Sequence, residues 1–211
     1  YLEANGMGDG IAFNDSVYTS AIIDVLSLSI SGQNISDLTG IEDFSSLGEL
    51  ECGFNSLSTI DLSNNFLLYY LDCYSNMLTS LDVSNNLDLF FLDCSFNQLS
   101  SLDVSNMNFM NFWCNDNLLT SLVVDGLYCE LYFDCSNNLL TSIDFSTAYA
   151  GYFFAYNNQL TSLDIRNGLN TSMSDFQVSS NPNLYCIAVD DPSWSYLNWG
   201  GIDPHMSYSS D

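Results

Sequence analysis

Carboxylates are the side chains in this sequence with the greatest capacity for chemistry. The chain of 211 residues carries 26 Asp and Glu against a single Arg and no Lys, which gives a formal charge of −25. One set of aspartates recurs in register, broken once by Val123: Asp61, Asp82, Asp103, Asp144 and Asp164. Stacked carboxylates repel one another, so either bound Ca²⁺ or hydrogen bonds from the following serine and nearby backbone amides must relieve them. The recurrent serine favours the hydrogen bonds.

The same residues give little support for catalysis. Paired carboxylates such as Asp72 and Asp93 have the residue types of a glycosidase, but the pairing follows from repetition and predicts no cleft between them. The single histidine, His205, lies near the C-terminus, and the sequence has neither a nucleophile elbow nor a glycine-rich phosphate loop. We therefore expect no enzyme and no cofactor, with bound Ca²⁺ as the alternative.

Cysteines are the second group that could do chemistry. Of the 7 cysteines, those that recur at steps of 20 or 21 residues are Cys52, Cys73, Cys94, Cys114 and Cys135. Cysteines one repeat apart are expected on neighbouring strands inside a core, where a free thiol behaves as a small hydrophobic side chain. Partial disulfides and a metal site are the alternatives, although neither a histidine nor a Cys-x-x-Cys pair accompanies these residues. Cys129 and Cys186 lie outside the series.

An internal repeat positions all of these residues. Counted from each cysteine, Leu or Phe stands two residues before, Asn three after and Leu five after, and Ala155 takes the next cysteine slot. The unit LxCxxNxLxxLxVS runs from about residue 47 to about residue 170. Because one repeat cannot bury its own apolar side chains, stacked copies must share a core, which predicts a solenoid. Each "LDC" segment is predicted to be a strand of a parallel sheet, and the asparagines are predicted to satisfy buried backbone groups.

The outward positions of these strands form the candidate binding site. Strand alternation points three positions per repeat outward, namely three before, one before and one after the cysteine slot. The candidate ligand-binding residues at these positions are Tyr70, Asp72, Phe91, Asp93, Trp113, Tyr132, Asp134, Tyr152, Phe154 and Tyr156. Exposed aromatic residues beside carboxylates suit contact with a protein surface or stacking on sugar rings. The alternative is that the rings only stack on one another across the sheet.

The charge and the length of the apolar runs exclude several partners. A surface so rich in carboxylates repels phosphate backbones and anionic membranes, so we expect no nucleic acid partner. The longest apolar runs, such as residues 66–71, are much shorter than a membrane span, so no membrane insertion is expected. Regular hydroxyl columns, which include Thr120, Thr141 and Thr161, leave ice binding as a minor alternative.

Three motifs carry a resemblance to a known family. "LTSLDVSNN", "LDCSFNQLSSLDVS" and "LDCSNNLLTSIDFS" resemble the secreted leucine-rich repeat proteins of Bacteroidota-type bacteria. The flanks "YLEANGMGDGIAFND" and "NPNLYCIAVDDPSWSYLNW" are similar to the caps of that family. The resemblance implies a leucine-rich repeat solenoid, export that is often by type IX secretion, and binding or adhesion at the cell surface. Residues 15–17, "DSV", are similar to the short O-glycosylation pattern of such bacteria.

We therefore predict a single leucine-rich repeat domain over residues 1–211, with an N-terminal cap at 1–25, repeats at 26–170, and a last coil and C-terminal cap at 171–211. Short parallel strands are expected on one face, mostly irregular or short extended segments on the other, and a small helix in the N-terminal cap. The predicted function is that of a secreted or cell-surface protein that binds an extracellular protein or glycan through the strand face. Self-association into an extracellular fibre or surface complex, with the charge screened by Ca²⁺, is the alternative. We expect the chain to be a mature or trimmed piece of a larger exported protein.

Overall fold

The computed structural model describes residues 18–211, which wind into a solenoid of parallel strands. The strands are, in chain order, β1 (Ser27–Ser29), β2 (Glu49–Glu51), β3 (Tyr70–Asp72), β4 (Phe91–Asp93), β5 (Ser101–Asp103), β6 (Asn108–Trp113), β7 (Ser121–Val123), β8 (Tyr128–Asp134), β9 (Ser142–Asp144), β10 (Tyr149–Phe154), β11 (Ser162–Asp164), β12 (Asp175–Gln177), β13 (Cys186–Ala188) and β14 (Ser207–Ser209). The α-helices are α1 (Thr19–Ile22) and α2 (Pro192–Asn198), and 3-10 turns lie at Ile41–Asp43 and Asn170–Ser172. The candidate glycosylation tripeptide and most of the predicted N-terminal cap lie outside the described residues.

One continuous parallel sheet contains the strands that the "LDC" segments predict. Its order is β1-β2-β3-β4-β6-β8-β10-β12, so each repeat adds one strand beside the last. The register pairs equivalent positions of successive repeats, for example Leu71 with Leu92 and Leu92 with Phe112. Neighbouring strands of a sheet lie about 4.8 Å apart, so a column in the sequence becomes a row of touching side chains. We call the outward surface of this sheet the strand face.

The second side of each coil is more regular than the sequence predicts. Short extended segments are present there, as expected, but they pair into sheets: β5 with β7, and β9, β11, β13 and β14 in a four-stranded group. Each central residue, such as Leu102 or Leu122, is buried, while its neighbours are exposed or half-buried. This alternation is that of a strand with one wet face, so the same short segments that pack on the core also pair with one another.

The recurring cysteines form a ladder inside the core. All five side chains of the ladder are fully buried, and all are free. This confirms the prediction that they pack as small hydrophobic groups. Cys129 is also buried and free, whereas Cys186 is free and exposed on β13. Burial raises the pKa of the Cys52 thiol to about 12, so the ladder is held in the neutral form that a core requires.

The recurring asparagines are structural, as predicted. Asn97 Nδ2 donates to the carbonyl oxygens of Cys73 at 3.0 Å and Cys94 at 3.1 Å. Its Oδ1 accepts from the backbone N–H of Leu78 at 2.9 Å. One buried side chain thus satisfies backbone groups of two successive coils, and the same pattern recurs at Asn76, which makes the equivalent contacts. An unmet buried group costs about 1–3 kcal/mol, which explains why each coil uses asparagine here.

A second set of buried asparagines, Asn65 and Asn86, was missed by the sequence reasoning. Asn86 Nδ2 donates to the carbonyl oxygens of Leu62 at 3.2 Å and Asn65 at 2.8 Å. Within residues 18–211, the Oδ1 atoms of Asn65 and Asn86 accept no hydrogen bond. The signal was the second Asn of the "SNN" segments at 63–65 and 84–86, which lie 21 residues apart. This ladder is partial, because Met107 takes the same place in the next coil.

Candidate functional site

A continuous row of aromatic rings crosses the strand face. Tyr70 of β3 stacks on Phe91 of β4 with centroids 4.1 Å apart and planes 10° apart. Phe91 meets Trp113 of β6 edge-on at 5.2 Å, and Trp113 stacks with Tyr132 of β8 at 6.4 Å. Tyr132 then stacks on Tyr152 of β10 at 4.6 Å and Phe154 at 6.3 Å. We call these six residues the aromatic row; the structure brings together all of the predicted aromatic site residues except Tyr156.

The row uses two sequence columns rather than one. In the sheet register, Phe91 faces Asn111 and Asp93 faces Trp113, so Trp113 belongs to the column next to that of Phe91. The large indole spans the gap that Asn111 leaves between Phe91 and Tyr132. Tyr156 is half-buried and lies two residues beyond the end of β10, outside the row.

The predicted carboxylates lie in one column beside the row. Asp72 is in register with Asp93, and Asp134 follows after Trp113. All three carboxylates are half-buried. Burial raises the pKa of each carboxyl group above its usual range, because desolvation disfavours the charged form. Glu51 continues the column on β2 and is exposed. We call these four residues the carboxylate column.

The prediction that the position after each cysteine points outward is wrong for two repeats. Ser95 and Ser136 are buried rather than exposed. The Ser95 hydroxyl donates to Asp93 Oδ1 at 2.5 Å, and its backbone N–H donates to the same oxygen at 3.0 Å. Asp134 binds Ser136 in the same way. In both repeats the serine is buried beneath the half-buried carboxylate to which it donates, and these bonds use the Oδ1 atom of the aspartate.

A second aromatic group, which the sequence reasoning missed, lies beside the carboxylate column. Phe54 meets Tyr74 edge-on at 4.7 Å, and Tyr74 meets Phe96 edge-on at 5.4 Å. Phe54 is 61% exposed and Phe96 49% exposed. Both phenylalanines have a φ of 53°, in the left-handed region, where equivalent positions of other coils carry Asp116 or Asn157. We call Phe54, Tyr74 and Phe96 the aromatic rim; its sequence signal was Phe in a slot where turns take Asn, Asp or Gly.

The acidic column on the second side is accounted for by turns. Asp103 Oδ1 accepts from the Ser105 N–H at 3.0 Å and from the Ser105 hydroxyl at 2.5 Å. The hydrogen bonds from serine lower the pKa of Asp61, Asp82 and Asp103. Across residues 18–211, no three His, Cys, Asp or Glu side chains form a group that could hold a metal ion. The hydrogen-bonded turn therefore explains this column, and Ca²⁺ binding stays a prediction.

The remaining side chains considered for chemistry, His205 and Arg166, are both exposed. The His205 ring meets the ring of Tyr185 at 5.4 Å. Arg166 is exposed and its guanidinium binds the Asp164 carboxylate at 2.6 Å, on the second side. In the part of the chain that the structure describes, no helix has the length and apolar character needed to cross a bilayer.

Comparison with known proteins gives a fold but no family assignment. No family model matches the chain, and no curated protein matches it. Among solved structures, it is similar to a leucine-rich repeat protein of Leptospira interrogans, with a TM-score of 0.56 and 17% identity over 92% of this chain and 51% of that one. This chain folds as a leucine-rich repeat solenoid. It spans about half the length of the Leptospira protein.

Two further structures share lower overall similarity. The functional domain of InlJ from Listeria monocytogenes, described as including a cysteine ladder, has 20% identity and a TM-score of 0.38, with 92% of this chain and 64% of that chain covered. The leucine-rich repeat domain of APL1B has 16% identity and a TM-score of 0.49, with 87% and 78% covered. The chain thus spans less than two thirds of the InlJ domain.

Proposed function

We propose that this protein is a non-catalytic binding protein that recognises a partner protein through its strand face. The observation that carries the proposal is the aromatic row, which extends from β3 to β10 as one chain of ring contacts. Tyr132 touches three other rings of the row and still remains 39% exposed. Rings that only stabilised the sheet would not need to leave this surface free, and exposed aromatic patches commonly mark contact sites.

A protein is a better fit than a small molecule because the row extends over five strands, from β3 to β10. Interfaces between proteins are enriched in Tyr, Trp and Phe at their centres. The resemblance of the repeats to exported leucine-rich repeat proteins supports a secreted or cell-surface location, and there the partner is an extracellular protein. A glycan that stacks on the same rings is the outcome to be distinguished by experiment.

The test uses two matched tyrosines on the same strand. Tyr132 belongs to the aromatic row, whereas Tyr128 lies at the start of β8, is exposed, and stacks on Tyr149 at 5.3 Å outside the row. Binders are selected from a random peptide display library against the native protein, and their affinities are measured for Tyr132→Ala and Tyr128→Ala. We expect a loss of about tenfold or more for Tyr132→Ala and little change for Tyr128→Ala.

Equal effects of the two substitutions, or a larger effect of Tyr128→Ala, would refute binding through the aromatic row. The same two variants are applied to a glycan array. Binding to sugars that is lost with Tyr132→Ala, in the absence of peptide binders that respond to it, would assign the row to glycans instead.

A further inference from the structure

We infer that the carboxylate column, flanked by the aromatic row and the aromatic rim, is a site for arginine and lysine side chains of a basic segment in the partner protein. This inference rests on the proposed function and names the chemistry of the partner.

Two of the carboxylates, Asp72 and Asp93, lie between the two sets of rings. On a strand, alternate residues share a face and are about 7 Å apart, so Tyr70 and Asp72 point to the same side, and Tyr74 of the rim follows two residues after the strand ends. In the next repeat, Asp93 is flanked by Phe91 on the row side, and Phe96 closes the rim beyond it. A carboxylate between aromatic rings combines the two features that attract a guanidinium or ammonium group.

The rim is built against the local conformational preference. A left-handed backbone costs an L-residue about 1–2 kcal/mol, and Asn and Asp tolerate it best. In later coils the equivalent residues form a polar ladder, in which Asn157 Nδ2 donates to Asn137 Oδ1 at 2.8 Å and Asn137 Nδ2 to Asp116 Oδ2 at 3.2 Å. Phe54 and Phe96 have side chains that cannot make these hydrogen bonds, and their rings are exposed instead. Strain of this kind clusters at functional sites, which points to a contact made by the rings.

The chain itself supplies no cation to this site. Its only Arg or Lys is Arg166, and that guanidinium binds Asp164 on the second side of the solenoid. Asp93 and Asp134 are half-buried, and burial raises the pKa of both carboxyl groups, so each bears a desolvation cost that a cation from a partner would offset. The formal charge of −25 adds a long-range attraction for a basic segment.

A polypeptide explains the extent of the site better than a metal ion does. The column runs over several coils: Glu51, Asp72 and Asp93 lie on successive strands about 4.8 Å apart, and Asp134 lies two strands further on, beyond Trp113. No three acidic groups within residues 18–211 converge on one metal position. Arginine suits the site best, because its planar guanidinium stacks on rings and binds carboxylates through two N–H groups at once. We therefore expect an extended segment that carries arginine at several positions.

The experiment compares two synthetic peptides that differ only in charge. One carries arginine at alternate positions, and the other carries citrulline, which has nearly the same shape but no charge. Binding is measured by fluorescence anisotropy for the native chain, for Asp93→Asn, and for the double variant Phe54→Asn with Phe96→Asn. Asp125→Asn is the matched control, because it removes the same charge at an exposed turn between β7 and β8.

We expect the arginine peptide to bind at least about tenfold more tightly than the citrulline peptide. Asp93→Asn and the double phenylalanine variant should each weaken binding by about tenfold, while Asp125→Asn changes it by less than about twofold. Asp93→Asn keeps the oxygen that accepts from Ser95, and asparagine suits the left-handed slots, so both variants remain folded and their melting curves verify this.

Three results would overturn the inference. The first is equal binding of the two peptides, and the second is no binding of the arginine peptide. The third is that Asp125→Asn weakens binding as much as Asp93→Asn, which would show that the effect depends only on net charge. The proposed function fails separately. Library binders that need Tyr132 but carry no excess of arginine or lysine would leave the strand face as the binding site and refute only its preference for cations.

Discussion

Replacement of the buried Asn97 by alanine should destabilise the protein far more than the same replacement of the buried Asn86. Asn97→Ala removes bonds to the carbonyl oxygens of Cys73, Cys94 and Ser95 and leaves the buried N–H of Leu78 without an acceptor. At about 1 kcal/mol for each of the four bonds, the expected loss in the free energy of unfolding is about 4 kcal/mol.

Asn86→Ala is the matched control, because the same atoms are removed from a site that is equally buried. It loses two bonds, and it also removes an Oδ1 that accepts no hydrogen bond from residues 18–211. The gain from removing that buried oxygen offsets part of the loss, so we expect a cost of about 1 kcal/mol. The difference between the two variants is then about 3 kcal/mol.

The measurement is guanidinium chloride unfolding followed by circular dichroism, with linear extrapolation and a check that the slope is the same for each variant. Losses that agree within about 0.5 kcal/mol would refute the reasoning, because they would show that the number of satisfied bonds does not set the cost. A changed slope would indicate that the repeats no longer unfold together.

Three further predictions follow from the ionisable groups. Of the cysteines, Cys186 alone should react with a thiol reagent in the native protein, because the others are buried, and rapid labelling of all the thiols would contradict this. The free energy of unfolding should fall as the pH rises from about 9 towards the folded pKa of about 12 at Cys52. The reason is that a thiol whose pKa is raised by burial favours the folded state below its unfolded pKa. Asp93→Asn should raise the melting temperature at pH 7 but not below about pH 3.9. Burial raises the folded pKa of Asp93, so its charge costs stability only once the carboxyl group ionises. An equal rise in melting temperature at both pH values would exclude this cause. Ca²⁺ and Mg²⁺ at equal concentration should raise the melting temperature equally, by screening the negative charge, whereas a rise specific to Ca²⁺ would instead reveal a binding site.

Much of the strand face could be predicted because its residues repeat in register. Parallel, in-register pairing converts each sequence column into a spatial row, so Tyr70 beside Phe91 and Asp72 beside Asp93 follow directly from the repeat. The cysteine ladder and the asparagine bonds follow for the same reason. The cysteines continue the inward side of each strand, and the asparagines recur at one position of the turn that follows.

The aromatic rim and the buried serines could not be predicted in this way. Phe54 and Phe96 are two residues beyond the cysteine slot, where the backbone leaves the strand with a positive φ, so strand alternation gives no direction for them. Ser95 and Ser136 sit at a position that alternation assigns to the outside, yet both serines are buried and donate to the half-buried aspartates two residues before them.

The sequence by itself determined the solenoid, its core and the columns of its surface, because a repeat that stacks in register leaves one way to bury its apolar positions. Only the tertiary structure decided which columns touch. Trp113 leaves its own column to contact Phe91 and Tyr132, because its indole is long enough to reach past Asn111, the small side chain that stands between them in their column. Contacts between columns depend on side-chain length and turn conformation, and neither of these has the period of the repeat.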